Sequence, residues 1–113
     1  MHEVGVMQSA LEIALEQARQ QGASRIDCIA LRVGMLSGVV PEALEFAFDV
    51  VARGTIAEGG RLVVERVPIH CVCAGCGAGF GADDLIFDCP RCGRPGARVR
   101  HGRELELAYL EVS

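Results

Sequence analysis

Residues 73–92, CAGCGAGFGADDLIFDCPRC, contain two Cys-x-x-Cys pairs that are separated by twelve residues. The two-residue spacer in each pair lets the chain turn back, so that both sulfurs can face one ion about 2.3 Å away. Glycines and a proline lie in or beside the pairs and suit such tight turns. The spacing predicts one tetrahedral zinc ion bound by four thiolates, those of Cys73, Cys76, Cys89 and Cys92.

Four thiolates fill every position around a tetrahedral zinc ion, so the predicted site is closed and structural. Two disulfides, a redox-active pair or a chance spacing are the alternatives. The opening residues MHEVGVMQSA have no charged and apolar regions typical of a secretory signal, which disfavours an oxidising compartment. A thioredoxin-type motif would be single and would lie at a helix start, whereas both pairs share one glycine-rich segment.

Three further residues with metal-binding or thiol chemistry lie near the pairs or in the core. His70 and Cys71 directly precede the first pair, and either could replace a ligand or bind a second metal. Only one residue separates Cys71 from Cys73, so we interpret Cys71 as a small buried or half-exposed thiol. Cys28 lies in an apolar run and is interpreted as a core residue.

The chain has 113 residues, which is enough for one domain of ordinary size. The segment between the cysteine pairs is expected to be a short hairpin or loop with a miniature core of Phe80, Leu85, Ile86 and Phe87. So small a core needs the zinc ion, which contributes on the order of 10 kcal/mol in zinc peptides. We therefore expect a zinc-binding domain, residues 70–97, inserted into an α/β domain of residues 1–69 and 98–113.

Hydrophobic periodicity predicts two amphipathic helices and three strands. The helices are expected at 4–21, ended by Gly22, and at 42–53, with Pro41 at the first helical position. The strands are expected at 24–33, 62–69 and 104–112. An insertion needs its entry and exit close together, so the last two strands are expected to be antiparallel neighbours. The prediction is an α+β fold with two helices packed on a three-stranded, mainly antiparallel sheet.

The charge distribution disfavours a nucleic-acid partner. The net charge is −4, and there are one Tyr and no Trp from which to build a stacking surface. Residues 70–103 contain five Arg and three Asp, and four thiolates with one Zn²⁺ would bring this lobe close to neutral. No apolar run approaches the roughly 18 residues of a membrane span, so we expect a cytoplasmic protein without a membrane partner.

The amino terminus is a candidate for a second metal site. His2 has a large side chain, so Met1 should be retained, and the Met1 amine and the His2 amide and imidazole could reach one ion. The amide of Glu3 would complete a roughly planar set of nitrogen ligands, which suits Ni²⁺ or Cu²⁺ better than zinc. The alternative is that His2 is simply a solvated side chain.

Three stretches together resemble the hydrogenase maturation nickel chaperones, the HypA/HybF family. They are MHE running into an amphipathic helix, the loop LRVGMLSGVVPEAL, and CAGC-x12-CPRC before a final ELELAYLEV strand. The resemblance covers essentially the whole chain. It implies a nickel metallochaperone that delivers Ni(II) to the large subunit of [NiFe] hydrogenase together with a GTPase accessory protein. In some organisms, the family also assists urease maturation, which implies urease accessory proteins as further partners.

The resemblance also implies roles for particular residues. His2 is the implied nickel ligand, with Glu3 beside it, and the four paired cysteines are the implied Zn(II) ligands. Some members add a carboxylate from the loop before the second helix. Here that stretch reads SGVVPEAL, and Glu42 is its first carboxylate. His70, Cys71 and His101 match no ligand motif of the family.

Two other function classes are alternatives to the nickel chaperone. A thiol oxidoreductase would need a redox-active pair, and no nucleophile with a base, no phosphate-binding loop and no open metal site is recognisable, so we do not expect an enzyme. A zinc-ribbon module could instead bind protein or nucleic acid through a basic surface. That surface would be formed by Arg91, Arg94, Arg98, Arg100 and Arg103.

Overall fold

The computed structural model describes residues 3–82 and 87–113, and these contain two helices and six strands. The elements are α1 Glu3–Gln20, β1 Ile26–Gly34, α2 Pro41–Val51, β2 Arg61–Val67, β3 Ile69–Val72, β4 Gly79–Ala82, β5 Arg98–His101 and β6 Leu105–Val112. The strands form two three-stranded sheets, in the orders β2-β1-β6 and β4-β3-β5. Neither helix of this part of the chain is long and apolar enough to cross a membrane. The predicted α+β class, with two helices, a three-stranded sheet and a cysteine-bearing lobe, is confirmed.

Both helices lie where the periodicity predicts them. Helix α1 buries one stripe of side chains and ends where Gly22 adopts a positive φ of 69°. There the Ala23 N–H donates to the Ala18 carbonyl at 3.0 Å, which closes the last turn. Helix α2 begins at Pro41 and also buries one stripe. The buried residues of the two helices are Met7, Leu11, Ala14, Ala18, Leu44, Ala47 and Phe48.

Strand β1 is the centre of the first sheet, with β2 parallel on one side and β6 antiparallel on the other. The expectation that the strands flanking the cysteine lobe are neighbours is therefore wrong, because β1 separates them. The reason is burial: seven of the nine residues of β1 are buried, whereas β2 and β6 have none in this class. The most apolar strand takes the central position, and α2 is the crossover that a parallel β1–β2 pair requires.

Pro68 divides the strand that was predicted at 62–69. Strand β2 ends at Val67, and Ile69 begins β3 in the second sheet. A proline has no N–H to donate to a ladder, which explains the break. Residues 98–101, which the sequence division places in the α/β domain, form β5 and pair with β3.

The second sheet has a much smaller core than the first. Its buried cluster is Ile69, Cys71 and Ala97, with Phe80 and Phe87 packed against it as partly buried residues. Phe80 lies on β4, which pairs with β3 on the other side of the first cysteine pair and not within the connector. Leu85 and Ile86, the other members of the predicted miniature core, lie outside the described residues.

The two sheets meet where the backbones of Gly34 and Gly102 nearly touch. A Cβ on Gly34 would lie 2.1 Å from the Gly102 carbonyl oxygen, so no larger residue fits there. The Gly34 N–H donates to the Glu104 carbonyl at 2.7 Å, and the Leu36 N–H donates to the Gly102 carbonyl at 2.6 Å. Leu36 also packs on the second core, so the loop after β1 connects the two units.

Candidate metal centre

The first cysteine pair forms a tight hook that is closed by backbone hydrogen bonds. The Gly77 N–H donates to the Cys73 carbonyl at 3.0 Å, and the Cys73 N–H donates to the Ala78 carbonyl at 2.9 Å. Gly77 has a φ of 76°, a left-handed conformation that glycine adopts without strain. The chain therefore reverses within six residues and carries both sulfurs to the same side.

The second pair repeats this geometry. The Gly93 N–H donates to the Cys89 carbonyl at 2.8 Å, and the Cys89 N–H donates to the Arg94 carbonyl at 2.9 Å. Gly93 has the same φ of 76° as its counterpart in the first hook. The glycine that follows each Cys-x-x-Cys pair in the sequence thus has one structural role in both hooks.

The two hooks bring all four paired sulfurs together. The four Sγ atoms lie within 4.8 Å of one another, and no other such group of three or more ligands occurs among residues 3–82 and 87–113. Between the hooks, Cys73 Sγ and Cys92 Sγ are 3.6 Å apart, as are Cys76 Sγ and Cys89 Sγ. Zn–S bonds of about 2.3 Å in a tetrahedron place sulfurs about 3.8 Å apart. The sulfur positions therefore fit a zinc ion at their centre.

Backbone N–H groups point at the first sulfur of each hook. The Gly75 and Cys76 N–H groups donate to Cys73 Sγ at 3.3 and 3.5 Å. The Arg91 and Cys92 N–H groups make the same contacts with Cys89 Sγ, both at 3.4 Å. Such donors favour the thiolate over the thiol. The thiolate is the form that binds metal.

The pKa values of the thiols follow from these contacts. The N–H groups of Cys76 and Gly75 lower the pKa of Cys73 to about 6. The N–H of Cys92 is the largest cause of the lowered pKa of Cys89. The Arg94 N–H lowers the pKa of Cys92, but hydrogen bonds with the thiols of Cys73, Cys89 and Cys76 and partial desolvation outweigh this and raise that pKa to about 11. One thiolate is thus stabilised by a neighbouring thiol, and a divalent cation can take the place of the shared proton.

The cluster lies at the surface on one side only. Cys73 and Cys89 are buried, whereas Cys76 and Cys92 are exposed. Four sulfurs around one point leave no position for a water or a substrate. The arrangement can hold an ion and stabilise the lobe, and it is not suited to exchanging a cargo.

The remaining cysteines and histidines lie outside the sulfur cluster. Cys71 is fully buried in the second core, and Cys28 is buried in β1, which confirms both interpretations. His70 is exposed on β3 and faces His101 on β5. The structure therefore brings these two histidines together, which the sequence did not predict.

The predicted nickel site falls partly outside the described residues, since Met1 and His2 are not among them. Glu3 begins α1, and its carboxylate accepts a hydrogen bond from the Val40 N–H at 3.4 Å. Glu42 lies in the first turn of α2 and is paired with Arg66 at 2.8 Å. The start of α1 thus lies against the loop that precedes α2.

Glu104 is a residue of interest that the sequence analysis missed. Glu104 accepts hydrogen bonds from the Gly102 N–H and contacts His101, a role that depends on a turn after β5. The only signal in the sequence was a Glu three residues after a His.

The five arginines of the alternative zinc-ribbon module are all exposed. They are Arg91, Arg94, Arg98, Arg100 and Arg103.

Residues 1–112 match the sequence profile of a family described as HypA, hydrogenase/urease nickel incorporation, metallochaperone. A protein from a Picosynechococcus species, named hydrogenase maturation factor HypA, is 46% identical over 112 residues, with 99% of each chain covered. A protein of the same name from Geobacter metallireducens is 45% identical over 112 residues, again with 99% of each chain covered.

Two solved structures have a similar fold. One is titled as the Ni metallochaperone HypA from Helicobacter pylori, with a TM-score of 0.68, 22% identity, and 99% of this chain and 97% of that chain covered. The other is titled as the HypA protein, with a TM-score of 0.75, 22% identity, and 100% and 97% covered. At this identity, the likeness concerns the fold alone.

Proposed function

The chain belongs to the HypA family of nickel-incorporation metallochaperones, and from this membership we propose that it binds Ni(II) at its amino terminus and delivers it for [NiFe] hydrogenase maturation. The observation that carries the proposal is the closed four-sulfur cluster. A cage of four thiolates holds its ion firmly, so a transferable ion needs a different place on the molecule. The amino terminus offers ligands of a different chemical type.

Zinc is the resident ion that the four cysteines are proposed to hold. The distances between their sulfurs, the donors at Cys73 and Cys89 and the all-thiolate ligand set all suit zinc. Its role is structural, because the second sheet has only three buried apolar residues in the described part of the chain. We propose that this sheet with its two hooks is a separate zinc-dependent unit, close to the predicted division at 70–97.

Nickel is the cargo, and its proposed ligands are the Met1 amine, the His2 amide and imidazole, and the Glu3 amide. Helix α1 begins at Glu3, and the first N–H groups of a helix have no intrahelical acceptor. The Glu3 N–H therefore makes no hydrogen bond within the helix, and the deprotonated amide nitrogen can bind a metal. The Glu3 carboxylate is engaged with the Val40 N–H, which supports a role for the amide rather than the side chain.

Delivery is proposed to involve the partners that the family resemblance implies. These are the GTPase accessory protein of hydrogenase maturation, the large subunit of [NiFe] hydrogenase and, for a urease client, the urease accessory proteins. The proposed planar nitrogen ligation suits a handover, because it leaves both axial sides of the ion open to an incoming ligand. No catalytic step on an organic substrate is proposed.

The test is a Ni²⁺ titration of the zinc-loaded protein. Calorimetry measures the affinity, and the visible absorption of planar nickel reports the coordination geometry. His2→Ala should abolish the tightest binding event and its absorption band. Glu3→Gln is the matched control, since it alters the carboxylate next door but keeps the amide, and it should bind nickel like the parent. Unchanged affinity in His2→Ala would refute the amino-terminal site.

A further inference from the structure

Two histidines that the proposed function does not use lie side by side on the second sheet. His70 of β3 and His101 of β5 are register partners, and directly opposed residues of an antiparallel pair project from the same face. Their ring centroids are 6.1 Å apart, with a tilt of 50° between the planes. Both side chains are exposed and accessible from solvent.

A carboxylate fixes the orientation of one of these rings. Glu104 Oε2 lies 3.3 Å from His101 Nδ1, and Glu104 Oε1 accepts the Gly102 N–H at 2.7 Å. The Glu104 side chain is only 20% exposed, so it is held in place by the turn. A carboxylate at Nδ1 keeps the proton on that nitrogen and leaves the Nε2 lone pair free for a metal.

The second ring has room because its neighbours are glycines. A Cβ on Gly79 would come within 3.3 Å of the Cε1 and Nε2 atoms of His70, so a larger residue would crowd the imidazole. The register partner of His70 on β4 is Gly81, which also has no side chain. The rings therefore line an open cleft together with Val72 and Arg100.

We propose that His70 and His101 bind one exposed divalent transition-metal ion, with Glu104 as a positioning residue for His101. Two imidazoles with metal–nitrogen bonds of about 2.1 Å have their centroids about 5.3 Å apart at a tetrahedral angle and about 6.5 Å apart in a linear arrangement. The observed 6.1 Å lies between these two values. Imidazole nitrogen suits nickel, copper and zinc, and water completes the coordination. With two protein ligands, the ion is exchangeable.

The histidine pair lies beside the point where the chain crosses between the two sheets. His70 directly follows Ile69 and His101 directly precedes Gly102, where the chain crosses between the two sheets. An ion shared by both imidazoles ties β3 to β5 at this crossing. Because such an ion binds the paired strands and not the separated ones, it stabilises their pairing.

Arg100 lines the same cleft, and its positive charge repels a bound cation. Removal of this charge should leave the Ni²⁺ affinity unchanged or raise it. Arg100→Ala is therefore the matched control for the histidine variants, because it changes the neighbouring exposed residue of β5 without removing a ligand. The histidine pair and the amino-terminal site share no residue, so an experiment can refute one proposed site without refuting the other.

The experiment titrates the zinc-loaded full chain with Ni²⁺ in a His2→Ala background and follows line broadening of backbone amides by NMR. Resonances of residues 69–72 and 98–102 should broaden, and His70→Ala or His101→Ala should weaken this response at least tenfold. Glu104→Ala should weaken Ni²⁺ binding about tenfold, as expected for a residue that orients a ligand. Broadening that survives either histidine variant, or that is lost in Arg100→Ala, would overturn the site.

Discussion

Replacing one cluster cysteine should unfold the second sheet and leave the α/β unit intact. Cys73 is buried, and its sulfur accepts two backbone N–H groups and lies 3.6 Å from Cys92 Sγ. Cys73→Ala removes a ligand and the acceptor of both donors in one step. The first hook then keeps only Cys76 as a ligand, and the ion loses one of its four thiolates.

The expected magnitude follows from the two cores. A structural zinc contributes on the order of 10 kcal/mol to the folding of a small domain. Of the three buried residues of the second cluster, only Ile69 is a large aliphatic, worth about 2 kcal/mol. The first cluster has fourteen buried hydrophobic residues within the described chain. Loss of the ion thus exceeds what packing can supply in the second sheet, whereas the first sheet does not depend on it.

Cys71→Ala is the matched control for this prediction. Cys71 is fully buried in the same small core but lies outside the sulfur cluster. Its truncation should cost about 1–2 kcal/mol through lost packing and should leave the zinc content unchanged. The two variants therefore separate the metal from the packing around it.

The assay combines zinc analysis after dialysis with amide NMR of both variants. In Cys73→Ala, the resonances of β3, β4 and β5 should collapse to unfolded positions, while those of α1 and β1 stay dispersed. Collapse of both sets would show that the two units fold as one. Retention of one tightly held zinc in Cys73→Ala would refute the four-thiolate site.

Three smaller perturbations test the junction and the first helix. Gly34→Ala places a Cβ 2.1 Å from the Gly102 carbonyl oxygen and should destabilise the protein by about 3 kcal/mol in denaturant unfolding. Gly5→Ala adds a Cβ with nothing within 4 Å inside α1, so the same measurement should show a gain of about 0.5–1 kcal/mol, and a loss would contradict the helix placement. Backbone hydrogen bonds lower the pKa of Glu104 from its ordinary value of 4.5, so its stabilising contribution is complete above that pH and declines as the pH falls below it. Glu104→Gln should therefore lose less stability than the parent between pH 5 and pH 3, and parallel profiles would count against this role.

The parts of the fold that were predictable from sequence are those with a local cause. Gly22 ends α1 and Pro41 begins α2 because each residue has a restricted or special backbone conformation. The Cys-x-x-Cys spacing brings two sulfurs to one side of a hook whatever surrounds it. These signals depend on neighbours within a few residues, so no tertiary information is needed to interpret them.

Strand order was not predictable in the same way. The sequence shows that β1 is apolar on both faces, but the same burial is compatible with a central strand in several topologies. The position of β1 between β2 and β6 depends on the crossover through α2 and on how the insertion leaves and re-enters the sheet. Such pairings join residues far apart in the chain and depend on the whole set of packed faces.

The sequence by itself determined the two helices, the apolar strand β1, the paired sulfur hooks and the family, because each is encoded by spacing or by a residue with restricted geometry. Only the tertiary structure decided that β5 leaves the first sheet for the second, that Gly34 meets Gly102, and that His70 faces His101 beside Glu104. The physical reason is that these contacts join segments more than 25 residues apart or depend on a turn that no local pattern specifies, so they arise only when both sheets are packed.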